Sequence, residues 1–186
     1  YFNDVNCEEI LGWLEELTSE EDYIVLKKED DLAYIAALEE TVLSPELLRE
    51  NSPCIIFSSI HGTGSIATIP SLLDHGVDVN VVKSQNTFDP NFSSVKSPNP
   101  ENKEALSADI EEGKKVKADA VIGSDPDCDR IGVAIRNEKD FICLSGNQVA
   151  CLLAEYRLIS LKSKQFLMPE NKSGFVLLKT FVTTPM

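Results

Sequence analysis

The sequence predicts an α/β fold, a three-layer α/β/α domain built around a mostly parallel, mixed sheet. Two short and largely apolar runs, 54–57 and 118–122, have the length and composition of strands buried on both faces. Amphipathic helical patterns alternate with such runs, which is typical of βαβ units with right-handed crossovers. Polar loops follow both runs, at the position where open α/β sheets place ligand sites. With 186 residues, the chain is long enough to bury a substantial core.

The composition is that of a globular protein with a strong negative charge. The net charge of −14 argues against nucleic acids and anionic membrane surfaces as partners, because both attract basic patches. No apolar run approaches the length of a membrane span. Five scattered cysteines fit neither a disulfide framework nor the spacing of a zinc site, so we expect a protein of the reducing cytoplasm.

We expect the chain to contain three segments. Residues 1–30 are predicted to form a connecting helix, at 6–17, followed by an acidic linker. Residues 31–143 are predicted to form the main domain, and residues 144–186 the first helix and strand of a similar domain that follows. Because the sequence begins with Tyr1 and stops soon after a strand-like run, we expect it to be a fragment of a longer polypeptide.

The elements of the main domain follow from periodicity and from turn residues. A helix is predicted over 31–41, and the strand at 54–57 leads to a helix that ends at Gly76, a residue type suited to the C′ position. After a strand at 77–82, the segment 83–100 is rich in Ser, Asn and Pro and is predicted to be a loop. The elements that complete the domain are a helix over 101–116 and strands at 118–122, 131–135 and 141–144.

The helical faces predicted to point inward are apolar at three- and four-residue spacing. Ser145 and Gln148 have the spacing of a capping box and begin the helix of the last segment. A basic and polar stretch, 157–172, is predicted to follow that helix, before a strand at 175–180. The predicted inward residues are Leu32, Ile35, Ala36 and Leu38, then Ile66, Ile69, Leu72 and Leu73, then Ala105, Leu106 and Ile110, and finally Val149, Leu152, Leu153 and Tyr156.

The loop 125–130, called the Asp loop below, carries the clearest chemical signal. Asp125, Asp127 and Asp129 alternate along it, so their carboxylates can point the same way and would repel one another without a cation. Such oxygen ligands suit a hard divalent ion, although a solvated turn without a metal is the simpler alternative. Arg130 offers a planar fork suited to phosphate. An EF-hand is excluded because Arg130 stands where that loop requires Gly.

A second polar loop, 58–64, follows the strand at 54–57. If that strand is parallel to the one before the Asp loop, the two loops share one edge of the sheet. His61 could touch a substrate, although shaping the loop by local hydrogen bonds is the simpler role. Gly62 and Gly64 are expected to permit unusual backbone angles, since no nucleotide-binding glycine pattern follows.

Five motifs occur in an order that resembles one family. They are a helix with Asp31 and Tyr34, H-G-x-G at 61–64, P-N-P at 98–100, D-P-D-x-D-R at 125–130 and G-N-Q at 146–148. This order covers most of the chain. It resembles the second domain and the opening of the third domain of the α-D-phosphohexomutases, the phosphoglucomutase and phosphomannomutase family.

The resemblance implies a reversible transfer of phosphate between the C1 and C6 oxygens of a hexose, through a bisphosphorylated sugar and a phosphoserine on the enzyme. It also implies Mg2+ held by that phosphoserine and by three aspartates, which here are Asp125, Asp127 and Asp129. Arg130 should then approach phosphate near the metal. The implied partners are a hexose phosphate substrate and the remaining domains of the same polypeptide.

Two departures from the family pattern bear on activity. The catalytic serine of the family lies in a first domain, in a T-A-S-H-N-P-like loop that this sequence lacks, and 97–100 is no substitute. The sugar-recognition and phosphate-binding loops of later domains are also absent. We therefore expect this chain to be inactive by itself. Cys128 replaces a small residue usual at its position, which leaves the three ligands intact.

Two other classes of function fit the Asp loop. A glycosyltransferase would use D-x-D to bind a nucleotide-sugar and manganese. A non-catalytic binding module would carry the loop as a structural metal site or a bare turn. Haloacid-dehalogenase-like phosphatases also use D-x-D, but Asp129 stands where they require Thr or Val.

Overall fold

The computed structural model describes residues 27–166, 168, 170 and 176–178. Contacts divide the chain into two compact units, 1–34 and 35–186, and the described part of the first unit contains the start of helix α1. The helices are α1 (Lys28–Leu38), α2 (Pro45–Asn51), α3 (Ser65–Asp74), α4 (Ser107–Val116) and α5 (Gly146–Ser163), with a 3-10 turn at Glu39–Thr41. The strands are β1 (Cys54–Ser58), β2 (Asp78–Val81), β3 (Ala120–Ser124), β4 (Ile131–Asn137) and β5 (Asp140–Leu144).

The strands form one five-stranded sheet in the order β2-β1-β3-β4-β5. β1 pairs in parallel with both β2 and β3, whereas β4 pairs antiparallel with β3 and with β5. The predicted mixed α/β sheet is therefore confirmed, with strand ends displaced by no more than two residues. Because β2 and β3 flank β1, right-handed crossovers place α3 and α4 on opposite faces of the sheet.

The core lies between α4 and one face of the sheet. The strand register aligns Ile56, Val121 and Ala134 on this face, and all three are fully buried. Ile110 of α4 and Phe141 of β5 pack against them. Burial of such side chains contributes roughly 1.5–3 kcal/mol for each large residue and is the main force that holds the sheet to the helix. The other buried members of the cluster are Ile60, Ala105, Leu106 and Ala118.

The helix predicted over 101–116 begins only at Ser107, so the prediction was wrong for its first six residues. Asn99 accounts for the turn at the start of this stretch. Its side chain accepts a hydrogen bond from the amide of Glu101 at 3.0 Å, and its carbonyl accepts one from the amide of Asn102 at 3.0 Å. An Asn side chain that bonds the backbone two residues further on stabilises a turn in competition with helix.

Two helical stretches were not predicted. Helix α2 follows Ser44 and has Pro45 at its first position, which is a helix-start signal that the sequence does carry. Helix α5 continues through Ser163, so 157–163 are helical although they were expected to lie in a polar stretch after the helix. Arg157 and Lys162 therefore lie on an exposed helix surface, whereas Ser160 is buried.

Several residues predicted to face inward are exposed instead. Ile35 and Val149 are buried as predicted, whereas Leu32 is 54% exposed and Leu153 is 58% exposed. Periodicity identifies an apolar stripe, but burial also needs an element that packs against the stripe, and the described residues leave about half of each of these side chains exposed. The other exposed members of the predicted faces are Ala36, Ile66, Leu73, Leu152 and Tyr156.

Two predicted elements lie wholly or largely outside the residues that the structure describes. The helix predicted at 6–17 lies outside the described residues. Of the strand predicted at 175–180, only 176–178 are described, and these three residues belong to no helix or strand. Among the described helices, none is long and apolar enough to cross a membrane.

Ser145 caps helix α5 in a complete capping box. Its hydroxyl accepts from the amide of Gln148 at 3.3 Å, and its own amide donates to Gln148 Oε1 at 2.8 Å. Replacement of Ser145 by alanine leaves the amide of Gln148 without this partner. We therefore expect Ser145→Ala to lower the free energy of unfolding by about 1 kcal/mol, as measured by urea denaturation. Ser163→Ala, at the other end of α5, is the control and should cost less than about 0.5 kcal/mol. Equal losses in the two variants would contradict the capping role.

Candidate metal-binding site

Two loops meet at one edge of the sheet. β1 and β3 are parallel neighbours, in a register that pairs Phe57 with Ile122 and Ser58 with Gly123. The loop 59–64, called the β1 loop below, and the Asp loop therefore leave the sheet side by side. This edge is the carboxyl end of the parallel strands, where open α/β sheets place ligand sites.

The β1 loop clamps the backbone of the Asp loop. The amide and the hydroxyl of Thr63 both donate to the carbonyl of Pro126, at 2.9 and 3.2 Å. Gly62 lies so close that a Cβ at this position would overlap with Pro126 Cα and lie 2.6 Å from the Pro126 carbonyl carbon. Glycine is therefore required here because two backbones approach one another closely.

The expected reason for the glycines of the β1 loop was wrong. Among the described glycines, Gly76 alone has a positive φ, 83°, at the predicted C′ position after α3. The positive φ angles of the β1 loop belong to Ile60, at 45°, and His61, at 66°. Gly64 also serves close packing, because a Cβ there would lie 3.1 Å from Cys128 Sγ.

Asp125 is anchored, whereas Asp127 and Asp129 are open to solvent. Asp125 has no exposed surface, and its two carboxylate oxygens accept from the Arg130 amide at 2.9 Å and from Arg130 Nε at 2.7 Å. One carboxylate oxygen from each of the three aspartates lies within 4.8 Å of the others. The structure thus brings together all three aspartates that the sequence singled out.

The negative charges of the three aspartates in the Asp loop repel one another. Burial raises the pKa of Asp125, but hydrogen bonds from the backbone and side chain of Arg130 outweigh it and hold that pKa below its usual value. The pKa of Asp129 is raised, first by its hydrogen bond with Asp125 and then by the negative charges of Asp127 and Asp125. A cation among the three carboxylates would relieve this repulsion.

Arg130 supports the loop and still presents part of its side chain to solvent. Its Nε lies 2.7 Å from Asp125 Oδ2 and 3.5 Å from Asp129 Oδ1. The side chain is 51% exposed. A guanidinium has five N–H donors, so one that is tied through Nε keeps others for an incoming anion.

His61 is buried, and both nitrogens of its ring are engaged. Nδ1 lies 2.8 Å from the carbonyl oxygen of Thr87, and Nε2 lies 2.6 Å from the hydroxyl of Ser94. Because the Thr87 carbonyl can only accept, Nδ1 carries the proton of that bond. These contacts tie the 83–100 loop to the β1 loop. They favour the role of shaping the loop over direct contact with a substrate.

The P-N-P turn supports the same edge of the sheet, a contact that the sequence analysis missed. Pro100 is buried against Gly123 of β3 and Gly132 of β4. A Cβ at Gly132 would overlap with the Pro100 carbonyl oxygen, and a Cβ at Gly123 would lie 3.5 Å from Pro100 Cβ. A glycine on each strand that borders the Asp loop is the sequence signal that could have indicated this close packing.

Comparisons with known proteins agree with the resemblance seen in the motifs. Residues 32–138 match the family model for phosphoglucomutase/phosphomannomutase, α/β/α domain II. A phosphoglucomutase of Staphylococcus aureus (strain USA300) is 42% identical over 107 residues, which are 56% of this chain and 19% of that protein. The chain therefore spans about a fifth of the length of the curated relatives it matches.

A solved structure from Thermus thermophilus, assigned as a phosphomannomutase, shows the same fold. Its TM-score is 0.55 at 24% sequence identity, and the likeness covers 69% of this chain and 28% of that one. The family match takes in the H-G-x-G, P-N-P and D-P-D-x-D-R motifs and extends over more than half of the chain. The chain therefore belongs to the phosphoglucomutase/phosphomannomutase family.

Proposed function

We propose that this chain is part of a phosphohexomutase that interconverts hexose 1-phosphate and hexose 6-phosphate, through a bisphosphorylated sugar and an enzyme phosphoserine. The observation that carries the proposal is the convergence of Asp125, Asp127 and Asp129 beside Arg130, in a chain of this family. A nucleotide-sugar glycosyltransferase is less well supported, because only the D-x-D spacing argued for it.

The three aspartates fit Mg2+ as the metal of the Asp loop. Mg2+ takes oxygen ligands at about 2.1 Å in an octahedron, so opposite ligand atoms lie about 4 Å apart. The three carboxylate oxygens lie within 4.8 Å of one another, and rotation of the exposed Asp127 and Asp129 side chains can shorten these separations. When bound, the ion would neutralise negative charge on the phosphate that is transferred.

The residues of this chain have separate roles in the proposed reaction. Asp125 fixes Arg130, whose exposed guanidinium would bind and orient a phosphate group. The β1 loop holds the Asp loop in place through Pro126. The phosphoserine and the loops that recognise the sugar belong, in this proposal, to other domains of the same polypeptide. We therefore expect this chain to show no mutase activity by itself.

The test of the site is a calorimetric titration of Mg2+ into this chain. We expect saturable binding, and we expect Asp127→Ala to weaken the affinity at least about tenfold, because it removes a direct oxygen ligand. Asp74→Ala is the control: it removes an exposed carboxylate at the end of α3 and should leave the affinity unchanged.

Two outcomes would contradict the proposal. Equal Mg2+ affinities for the wild-type chain and Asp127→Ala would show that the ion binds elsewhere. Conversion of glucose 1-phosphate to glucose 6-phosphate by the isolated chain would show that the reaction needs no serine from another domain.

A further inference from the structure

A buried polar cluster lies beneath the β1 loop, apart from the proposed metal ligands. Ser58 Oγ donates to Gln85 Oε1 at 2.9 Å, and Gln85 Nε2 donates to the carbonyl of Ala105 at 3.2 Å. Asp109, in the first turn of α4, lies beside Ser58 and is fully buried. Neither of its carboxylate oxygens has a hydrogen-bond partner in the described part of the chain. A buried carboxylate without such partners is strongly disfavoured in its charged form.

The same cluster holds the start of the β1 loop. The amide of Ile60 donates to Ser58 Oγ at 3.3 Å, and the amide of His61 donates to the carbonyl of Gln85 at 2.8 Å. The residues that follow in this loop clamp the backbone of the Asp loop. Hydrogen bonds therefore connect the buried cluster to the part of the β1 loop that supports the candidate site.

The hydrogen bonds of the cluster can be arranged in two ways, depending on whether the Asp109 carboxyl carries a proton. The hydroxyl of Ser58 has one proton to donate. While the Asp109 carboxyl is neutral, it can donate its own proton to Ser58 Oγ, and Ser58 continues to donate to Gln85 Oε1. Once Asp109 is ionised it can only accept, and a hydrogen bond to a charged acceptor is stronger than one to an amide oxygen. The Ser58 hydroxyl then turns to Asp109, and Gln85 Oε1 loses its donor.

We propose that Ser58, Gln85 and Asp109 form a proton-linked switch under the β1 loop. Loss of the Asp109 proton moves the Ser58 hydroxyl from Gln85 to Asp109. This removes one of the two hydrogen bonds that fix the Gln85 side chain, so Gln85 holds the His61 amide less firmly through its backbone carbonyl. The inference depends on neither the metal nor the proposed reaction, and it can be tested without them.

Asp109 is the titrating group of the switch. Burial raises its pKa to about 7, and the nearby amide of Asp109 and hydroxyl of Ser58 lower it by less. The groups around it come from β1, from the loop after β2 and from the start of α4. Ser58 is the side chain that the structure places beside the Asp109 carboxyl, and Gln85 and the carbonyl of Ala105 follow it in the cluster; none of these groups is charged. The imidazole of His61 lies in the loop that the cluster holds, so the test must separate the effect of His61 from that of Asp109.

The test is hydrogen exchange at the amides of Ile60 and His61, compared at about pH 5.5 and about pH 8 after correction for the intrinsic pH dependence of exchange. In the wild-type chain we expect protection of the His61 amide to fall about tenfold or more as the pH rises. The amide of Ile60 keeps Ser58 Oγ as its acceptor, so its protection should change less. In Asp109→Asn, protection should be nearly equal at the two pH values. Asp74→Asn, which changes an exposed carboxylate, should behave as the wild type does.

Ser58→Ala is a second variant that decides the question if Asp109→Asn does not fold. It keeps the carboxyl group but removes the hydroxyl that carries the coupling, so it should also lose the pH dependence. Undiminished pH dependence in either variant would overturn the switch, and so would equal protection at both pH values in the wild type. His61 is present in every variant and cannot account for a difference between them.

Discussion

Replacement of Gly62 by alanine is expected to lower the free energy of unfolding by at least about 3 kcal/mol, because the added Cβ forces two backbones apart. The Cβ would overlap with Pro126 Cα, and relief of the overlap would pull Thr63 away from the Pro126 carbonyl. A backbone atom cannot rotate aside as the end of a flexible side chain can. We expect a lower urea midpoint and also weaker Mg2+ binding, since the Asp loop would lose its support.

Gly113→Ala is the matched control for that substitution. Gly113 lies inside α4, where a Cβ would meet only side-chain atoms, Phe141 Cζ at 3.1 Å and Val121 Cγ2 at 3.3 Å. Alanine is also favoured over glycine in a helix by up to about 1 kcal/mol, which opposes the cost of the tight contacts. We expect a change within about 1 kcal/mol in either direction. A loss as small as this in Gly62→Ala would show that the two loops are not rigidly interlocked.

The strands could be predicted because their signal is local. The runs that became β1 and β3 are short, largely apolar and bounded by polar turns, and the helical patterns that alternate with such runs favour a parallel sheet. The structure pairs β1 and β3 in parallel. The ends of helices are harder to predict, because helix and turn conformations there differ little in free energy. Asn99 stabilises turns where the apolar spacing predicted helix, and this side-chain hydrogen bond is not part of a hydrophobic pattern.

The sequence was enough to predict the ligand residues of the candidate site, but not the contacts that hold the Asp loop in place. Alternation along the chain was enough to predict that Asp125, Asp127 and Asp129 converge. The clamp on that loop joins Thr63 to Pro126, 63 positions apart in the sequence, and no local pattern encodes such a contact. The glycines therefore seemed to serve backbone angles when Gly62 in fact serves close approach.

Asp109 shows how residue type can mislead where spacing is correct. It lies three positions after Leu106 and next to Ile110, and both were predicted to face the core. The same helical spacing places Asp109 at the inward side of α4, where carboxylates are rarely buried without a partner, and the sequence analysis did not single it out. The structure follows the spacing, and the energetic cost appears in the protonation of the carboxyl group.

The buried carboxyl of Asp109 gives the stability of the chain a definite dependence on pH. Below about pH 4 the group is neutral in both the folded and the unfolded state. Between about pH 4 and about pH 7 the unfolded chain releases the proton while the folded chain keeps it, so stability falls as pH rises. Above about pH 7 both states are ionised and the loss is complete. The rise in pKa from 3.8 to about 7 corresponds to a loss of about 4 kcal/mol at most.

We therefore expect Asp109→Asn to be about 2 kcal/mol more stable than the wild type at about pH 8, and no more stable at about pH 4. The gain is smaller than the full cost of ionisation because the asparagine amide brings donors that also need partners. Urea denaturation at the two pH values measures the difference, with Asp74→Asn as the exposed control. A difference that is the same at both pH values would show that burial does not keep Asp109 neutral. An acid that lowers stability as it ionises fits a proton-linked role better than a purely structural one, because a neutral side chain at this position would serve packing without that cost.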